Sequence, residues 1–261
     1  AWDKPKTNIR RRLEIYPEYK AGRKPAPPDF YEQIPVLHEL LDAFGWPLYE
    51  LDDYEADDIM GTLAVQARGA GLETLLITSD LDMLQLVNGN VKVYALKKGL
   101  SNIELYSPES FTAKYGIEVN QFLDLKSLKG DSSDNIPGVP GIGEKTAIQL
   151  LQDYKTLDGV YENLWQIKDA VRKKLEAGKE SAYMSKKLAD IWCDAPLQLD
   201  LPRMDGHHAD PERILELLEK LEFRSLVRQV PEILGADFSS HESRVTSHGF
   251  VVGENRVIDD E

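Results

Sequence analysis

The sequence holds a single cysteine, Cys193, among 261 residues, so no disulfide can form within the chain. That usage fits a reducing compartment, and no basic-then-apolar leader marks the chain for export, so the expected location is the cytoplasm. Long hydrophobic runs are missing too: none approaches the ~20 residues that a membrane-spanning helix requires. Nothing repeats at solenoid periods. Positive charge is in deficit, with 31 Lys and Arg against 45 Asp and Glu and a net charge of −14. Taken at face value, that balance argues against nucleic acid as a partner. At 42% hydrophobic and 29% charged, the composition is that of a soluble globular protein with an ample core.

The charges are unevenly spread. Residues 1–25 carry eight bases against three acids, a local +5, whereas residues 51–58 (LDDYEADD) hold five acids and no base. Residues 239–261 are acidic and poor in large apolar residues, which reads as a flexible tail. Between these, helical and strand patterns alternate. Pro27, Pro28 and Asp29 open a helix whose apolar spacing runs to Gly45. Leu48–Leu51 reads as a short strand, 56–70 as a helix closed by Gly71, LETLLIT as a strand buried on both faces, and Val91–Leu96 as another strand. This order predicts an α/β domain over 1–105 with a mostly parallel sheet and flanking helices. Over 106–238 the segments Phe111–Tyr115, Asn120–Leu128, Glu144–Tyr154, 157–190 and Pro211–Arg228 all carry helical patterns, which predicts a helical subdomain.

Three groups of residues carry chemistry. The first is a set of carboxylates. Glu55, Asp57 and Asp58 open the 56–70 helix, where free N–H groups favour negative charge. Asp80 and Asp82 follow the LLITS strand, at the strand end where open α/β sheets place ligands. Asp131 and Asp134 lie in GDSSDN. Converged, these seven would repel one another without a cation. With one they form an all-oxygen site suited to Mg²⁺ or Mn²⁺, and two such ions ~4 Å apart activate a water and stabilise the leaving oxygen of a phosphodiester. Each cluster alone also reads as helix capping and solvated surface acid.

The second group is the hairpin IPGVPGIGEKTAIQLL, residues 136–151. Backbone N–H groups at the start of the Glu144 helix, with Lys145 beside them, suit a phosphate gripped without reading its base. A P-loop is excluded, because Glu144 stands where its lysine belongs and Pro140 interrupts the loop. A purely structural Gly/Pro turn is the other reading. The third group is RRRLEIYPEYKAGRK, residues 10–24, in which Tyr16 and Tyr19 interleave with Lys20, Arg23 and Lys24. That pattern suits stacking on an unpaired base while its phosphates are held, or else a solvated basic face.

YPEYKAGR, YEADD, TSDLDMLQL and GDSSDNIPGVPGIGEKTA, in this order, resemble the flap endonuclease family in the form of the 5′-nuclease (5′→3′ exonuclease) domain of bacterial DNA polymerase I. The similarity runs from about Asp3 to about Arg228. It implies a PIN-like (resolvase-like) α/β domain with a helical arch, then a helical region with a helix-three-turn-helix. The implied activity is structure-specific hydrolysis of DNA 5′ ends or 5′ flaps in replication and repair, with two Mg²⁺ or Mn²⁺ ions.

By the same resemblance, Asp3 joins Glu55, Asp57, Asp58, Asp80, Asp82, Asp131 and Asp134 as metal ligands. Lys20 and Arg23 form the basic pair beneath the arch and act at the scissile phosphate with Asp58 and Asp80. Arg10, Arg11, Tyr19, Lys20 and Arg23 then contact DNA, as do Gly138, Val139, Gly141, Gly143, Lys145 and Thr146 of the hairpin, which in the family also takes K⁺. The implied setting is a monomer at the nucleoid, acting on DNA or on RNA primers and fused to, or working with, a polymerase. Ser79 replaces the glycine of the family's G-D-x-D motif. The family pattern also begins with a strand ending in Asp-Gly, several dozen residues before the position of Asp3, whereas this sequence starts at Ala1. Two other readings follow: a non-catalytic module that binds junction DNA, and an RNA-directed nuclease of the PIN or RNase H type.

Overall fold

Aliphatic residues at 74–78 and 91–96 pair as the parallel strands β1 (Thr74–Thr78) and β2 (Val91–Leu96), with Leu76 opposite Val93. A third strand, β3 (Ile103–Tyr106), runs antiparallel to β2, with Leu105 opposite Tyr94. The computed structural model describes residues 1–97, 103–204 and 208–234, so the expected tail at 239–261 lies outside the described residues. The sheet is therefore mixed, in the order β1-β2-β3. Strand β3 is four residues long and was not legible in the sequence.

Two expectations need correction. LETLLIT is not buried on both faces: Leu76 points into the core, while Leu75 and Ile77 are 49% and 63% exposed. Leu48–Leu51 is not a strand either. Its Tyr49 carbonyl accepts one backbone bond, from the Trp2 N–H at 2.8 Å, and forms no ladder. Apolar residues alone do not make a strand without a neighbour in register.

The helices α1 (Arg10–Ile15), α2 (Pro28–Ala43) and α3 (Ala56–Gly69) precede the sheet. After it come α4 (Pro108–Tyr115), α5 (Phe122–Lys129), α6 (Glu144–Tyr154) and α7 (Leu157–Glu162). Then follow α8 (Asp169–Ala177), α9 (Lys179–Ala189), α10 (Pro211–Lys220) and α11 (Arg224–Leu234). The single helical pattern expected over Pro211–Arg228 is broken at Glu222, which takes φ +59°.

By internal packing the described residues divide into two units: residues 1–27 with 48–200, and residues 28–47 with 201–204 and 208–234. In the first, sheet residues Leu76, Val93 and Ala95 share one core with Leu125, Leu128, Leu151 and Leu175 of the helices. A satellite cluster of Tyr19, Ile136, Leu188 and Ala189 receives Ile9, Leu13 and Tyr16 from the α1 segment. The second unit packs Ala43 of α2 against Ile214, Leu215 and Leu218 of α10 and Val230 of α11. Among the described residues no helix is long and apolar enough to cross a membrane.

Candidate active site

Helix α3 begins with a reciprocal cap. Asp58, at its third position, accepts from the Glu55 N–H at 2.9 Å, and Asp3 accepts from the Ala56 N–H at 2.8 Å and from Asn8 Nδ2 at 3.0 Å. Asp3, Glu55, Asp57 and Asp58 are thus gathered at the positive end of one helix, while Asp52 and Asp53 pair with Lys4 and Arg10. Past the end of β1, Asp80 accepts from the Asp82 N–H at 2.8 Å and so starts the 3₁₀ turn Leu81–Leu86. Asp131 and Ile136 exchange two backbone bonds of 2.8 Å, which close the GDSSDN loop and present Asp131 and Asp134. Glu55, Asp57, Asp82 and Asp134 line one hollow together with Arg12 and Tyr19.

Among the described residues, no three of these acids close around a single point tightly enough to enclose an ion by themselves. Cations of the protein stand between them instead. The Lys20 ammonium pairs with Glu55 and lies 3.6 Å from Asp134, which Arg23 also holds at 2.5 Å. The Lys126 ammonium, 3% exposed, pairs with Asp82 and lies 2.7 Å from Asp131. Lys20 takes φ +57°, an uncommon backbone conformation for a residue with a side chain, and its N–H bonds the Asp134 carbonyl at 2.9 Å.

The electrostatics follow from this crowding. Burial, then the charges of Asp80 and Glu55, pushes Asp57 up to about 7. Burial also raises Asp82, against the opposing pull of Lys126. Burial would raise Asp131 as well, but hydrogen bonds from Lys126 and Ser133 hold it well below the usual carboxylate range. Lys126 is raised, because Asp82 and Asp131 outweigh its own burial. The donor set is all oxygen and short of positive charge at Asp57, and it already grips ammonium groups. It fits a hard divalent cation.

Several candidate residues are placed otherwise than expected. Tyr19 is 4% exposed, and its hydroxyl donates to Glu55 at 2.9 Å and Asp134 at 3.3 Å, so its ring is not available to stack on a base. Tyr19 belongs to the satellite cluster, whose apolar contacts claim the ring. Asp58 is fully buried, and both of its oxygens are taken by Arg12 and by backbone N–H groups. Arg10 reaches Asp53 at 2.6 Å, while exposed Arg11 lies over the rings of Tyr54 at 5.0 Å and Trp192 at 4.5 Å. Sequence reasoning missed Arg12 and Lys126. For Arg12 a signal existed, since Ile9, Arg12, Leu13 and Tyr16 share one helical stripe.

The hairpin between α5 and α6 is shaped by glycines at positive φ, with Gly138 at +61° and Gly141 at +82°. Two of its expected phosphate contacts are used inside the fold: the Gly138 N–H donates to Ser185 Oγ at 2.9 Å and the Val139 N–H to the Leu128 carbonyl at 2.8 Å. Gly141, Gly143 and Lys145 are exposed and Thr146 partly so. A Cβ on Gly138 would lie 2.6 Å from the Lys129 carbonyl carbon. Gly138→Ala is therefore expected to cost about 2–4 kcal/mol, from left-handed strain plus the clash, read as a lower denaturation midpoint.

Residues 1–116 match the family described as the 5′-3′ exonuclease N-terminal resolvase-like domain, and residues 117–212 match its C-terminal SAM fold. The chain belongs to the 5′-3′ exonuclease family. Among relatives of this exonuclease family, DNA polymerase I of Caldicellulosiruptor bescii is 46% identical over 221 residues, covering 84% of this chain and 26% of the relative. DNA polymerase I of Bacillus caldotenax is 45% identical over 231 residues, covering 88% of the chain and 26% of the relative. The chain thus spans about a quarter of the length of these polymerases.

Among solved structures, a variant flap endonuclease of bacteriophage T5, in a pseudo-enzyme–product complex with DNA and metal ions, has a TM-score of 0.64 at 21% identity. That match covers 83% of this chain and 81% of the other. The catalytic core of Rad2 in complex with DNA substrate gives a TM-score of 0.58 at 18% identity, covering 91% and 78%. The exonuclease-family fold, a resolvase-like α/β domain with a helical SAM-like part, agrees with the architecture above.

Proposed function

We propose that this chain hydrolyses phosphodiesters at 5′ ends or 5′ flaps of DNA, with two Mg²⁺ or Mn²⁺ ions held by Asp3, Glu55, Asp57, Asp80, Asp82, Asp131 and Asp134. The observation that carries this reading is a hollow lined by Glu55, Asp57, Asp82 and Asp134, whose carboxylates are paired with Lys20, Arg23 and Lys126 except at Asp57. Bound divalent ions there supply a more acidic water and charge neutralisation at the phosphate. The chain's own residues do the rest. Lys20 and half-exposed Arg23 sit at the acids and carry N–H donors suited to phosphate oxygens as negative charge builds on them. Gly141, Gly143, Lys145 and Thr146 at the start of α6 suit the sugar-phosphate backbone of a duplex, so sequence preference should be slight.

The same reading covers the wider setting. A K⁺ ion would take a place at the hairpin carbonyls, where the Lys174 ammonium rests on the Gly141 carbonyl at 3.0 Å. The protein would act as a monomer on nucleoid DNA in the cytoplasm. Because the relatives that carry the matching region are DNA polymerases I, a DNA polymerase is the expected working partner. RNA primers would be a further substrate only where the contacts are to phosphate oxygens, which RNA and DNA share, and leave the sugar 2′ position unread.

A 5′-labelled flap tests the proposal. The chain is expected to release short 5′ products with Mg²⁺ and none with chelator, and Asp80→Ala should cut about 10³-fold more slowly while binding the flap within about threefold of the parent. Flap binding without cleavage by the parent at any divalent concentration would instead support a junction-binding module. An Asp80→Ala variant that cuts at the parent rate would remove Asp80 from the metal set.

A further inference from the structure

Asp58 differs from the other acids of the site. Its carboxylate accepts four hydrogen bonds, two on each oxygen. Oδ1 takes Arg12 Nη2 at 2.8 Å and the Trp192 N–H at 2.9 Å, and Oδ2 takes Arg12 Nη1 at 2.6 Å and the Glu55 N–H at 2.9 Å. A carboxylate offers about four lone-pair positions, so Asp58 is full. It is also fully buried, and Arg12 beside it is 3% exposed.

Arg12 is equally committed. Nε donates to the Leu188 carbonyl at 3.1 Å and Nη2 also to the Asp190 carbonyl at 2.8 Å, while Nη1 lies 3.2 Å from Glu55 Oε2. The guanidinium face rests 4.1 Å from the centre of the Trp192 ring. Every donor of the fork therefore meets an acceptor. If Asp58 turned toward a metal ion, Arg12 would be left buried without its partner, which is strongly unfavourable.

Both members of the pair reach Glu55, Asp58 through the Glu55 backbone N–H and Arg12 through the Glu55 carboxylate. We propose that Asp58 is a positioning residue: with Arg12 it fixes the backbone and side chain of Glu55 at the rim of the hollow, and it does not ligate metal. The inference rests on the metal-centre reading above for the role of Glu55.

Charge crowding separates the two roles without any cleavage assay. Asp57 lines the hollow beside Glu55 and Asp82, and the charges of Asp80 and Glu55 on it are only partly opposed by Lys20, so Asp57→Asn relieves repulsion. Asp58→Asn removes acceptors from a buried guanidinium. In chelator, Asp57→Asn should therefore melt above the parent, and Asp58→Asn should melt about 10 °C or more below it. Counted by electron paramagnetic resonance of free Mn²⁺, Asp58→Asn should bind as many ions as the parent, about 10-fold more weakly.

Arg12→Lys keeps the charge but loses the fork, so it should reproduce that weakening. The double variant should be no worse than the weaker single, because both act through one contact set. If the chain cleaves, Asp58→Asn and Arg12→Lys should lower kcat with KM for the flap unchanged. An Asp58→Asn variant that melts at or above the parent in chelator, or that binds one Mn²⁺ fewer, overturns the proposal. An Asp58→Asn chain that fails to fold supports the anchoring role, and Arg12→Lys then carries the Mn²⁺ comparison, where parent-like affinity would overturn it. Absence of cleavage by the parent would sink the proposed function while leaving the melting comparison valid.

Discussion

Asp57→Asn is expected to stabilise the metal-free protein at pH 8 and at the same time to reduce cleavage about 10³-fold or more. The two effects have one cause. Burial and the neighbouring charges of Asp80, Glu55 and Asp3 raise Asp57 to about 7, whereas an unfolded chain returns it to the ordinary carboxylate value. Between those values the folded state holds a proton that the unfolded state has released. Stability from this group is therefore present below the unfolded value and is lost as pH rises toward 7. At 1.36 kcal/mol per unit the full loss is at most about 4 kcal/mol, and partial exposure makes about 1–3 kcal/mol a better expectation. Removing the charge recovers it. Thermal melts in chelator between pH 5 and 8 check this: the parent should fall across that range and the variant should be flatter. Equal slopes would mean that Asp57 is not the crowded group.

Lys126→Met should act in the opposite sense. Lys126 is buried, with Asp82 and Asp131 on its ammonium. Removing one member of a buried ionic group leaves the others uncompensated, at a cost of about 3–5 kcal/mol. Because the lost charge is a cation among acids, millimolar Mg²⁺ or Mn²⁺ should restore much of the stability, more than it adds to the parent. Denaturation curves with and without divalent ions check the point. A variant as stable as the parent in chelator, or one that divalent ions leave unmoved, would contradict the arrangement of charges described here.

These expectations change what the net charge means. The −14 balance argues against nucleic acid only if the acids face a ligand. Here Glu55 and Asp134 are turned inward and matched by Lys20 and Arg23, and Asp131 and Asp82 by Lys126. Total charge described the composition and not the surface that DNA would meet.

The sequence was informative where local chemistry decides the structure. The Glu144–Tyr154 helix appears with its expected ends, because glycine precedes it and a strong apolar stripe drives it. The acids were legible as a set because capping puts carboxylates at helix starts and strand ends. The buried cations were not. Three consecutive arginines differ only in which one shares a stripe with Ile9 and Leu13, and Lys126 lies in a helix with no pattern to mark it as buried. Tyr19 looked like a stacking residue because its neighbours are basic, yet its ring belongs to a core assembled from residues over a hundred positions away. Strand β3 and the exposed face of β1 depend on which strands pair, which periodicity alone does not specify.

Divalent-metal binding at the acid hollow is the property on which the proposed function depends. Titrating the whole chain with Mn²⁺ and following the free-ion resonance signal tests it most directly. The signal should stay suppressed until about two ions per chain have been added, and appear sooner in Asp57→Asn and Asp80→Ala. A free-ion signal that rises from the first addition as it does in buffer would contradict it.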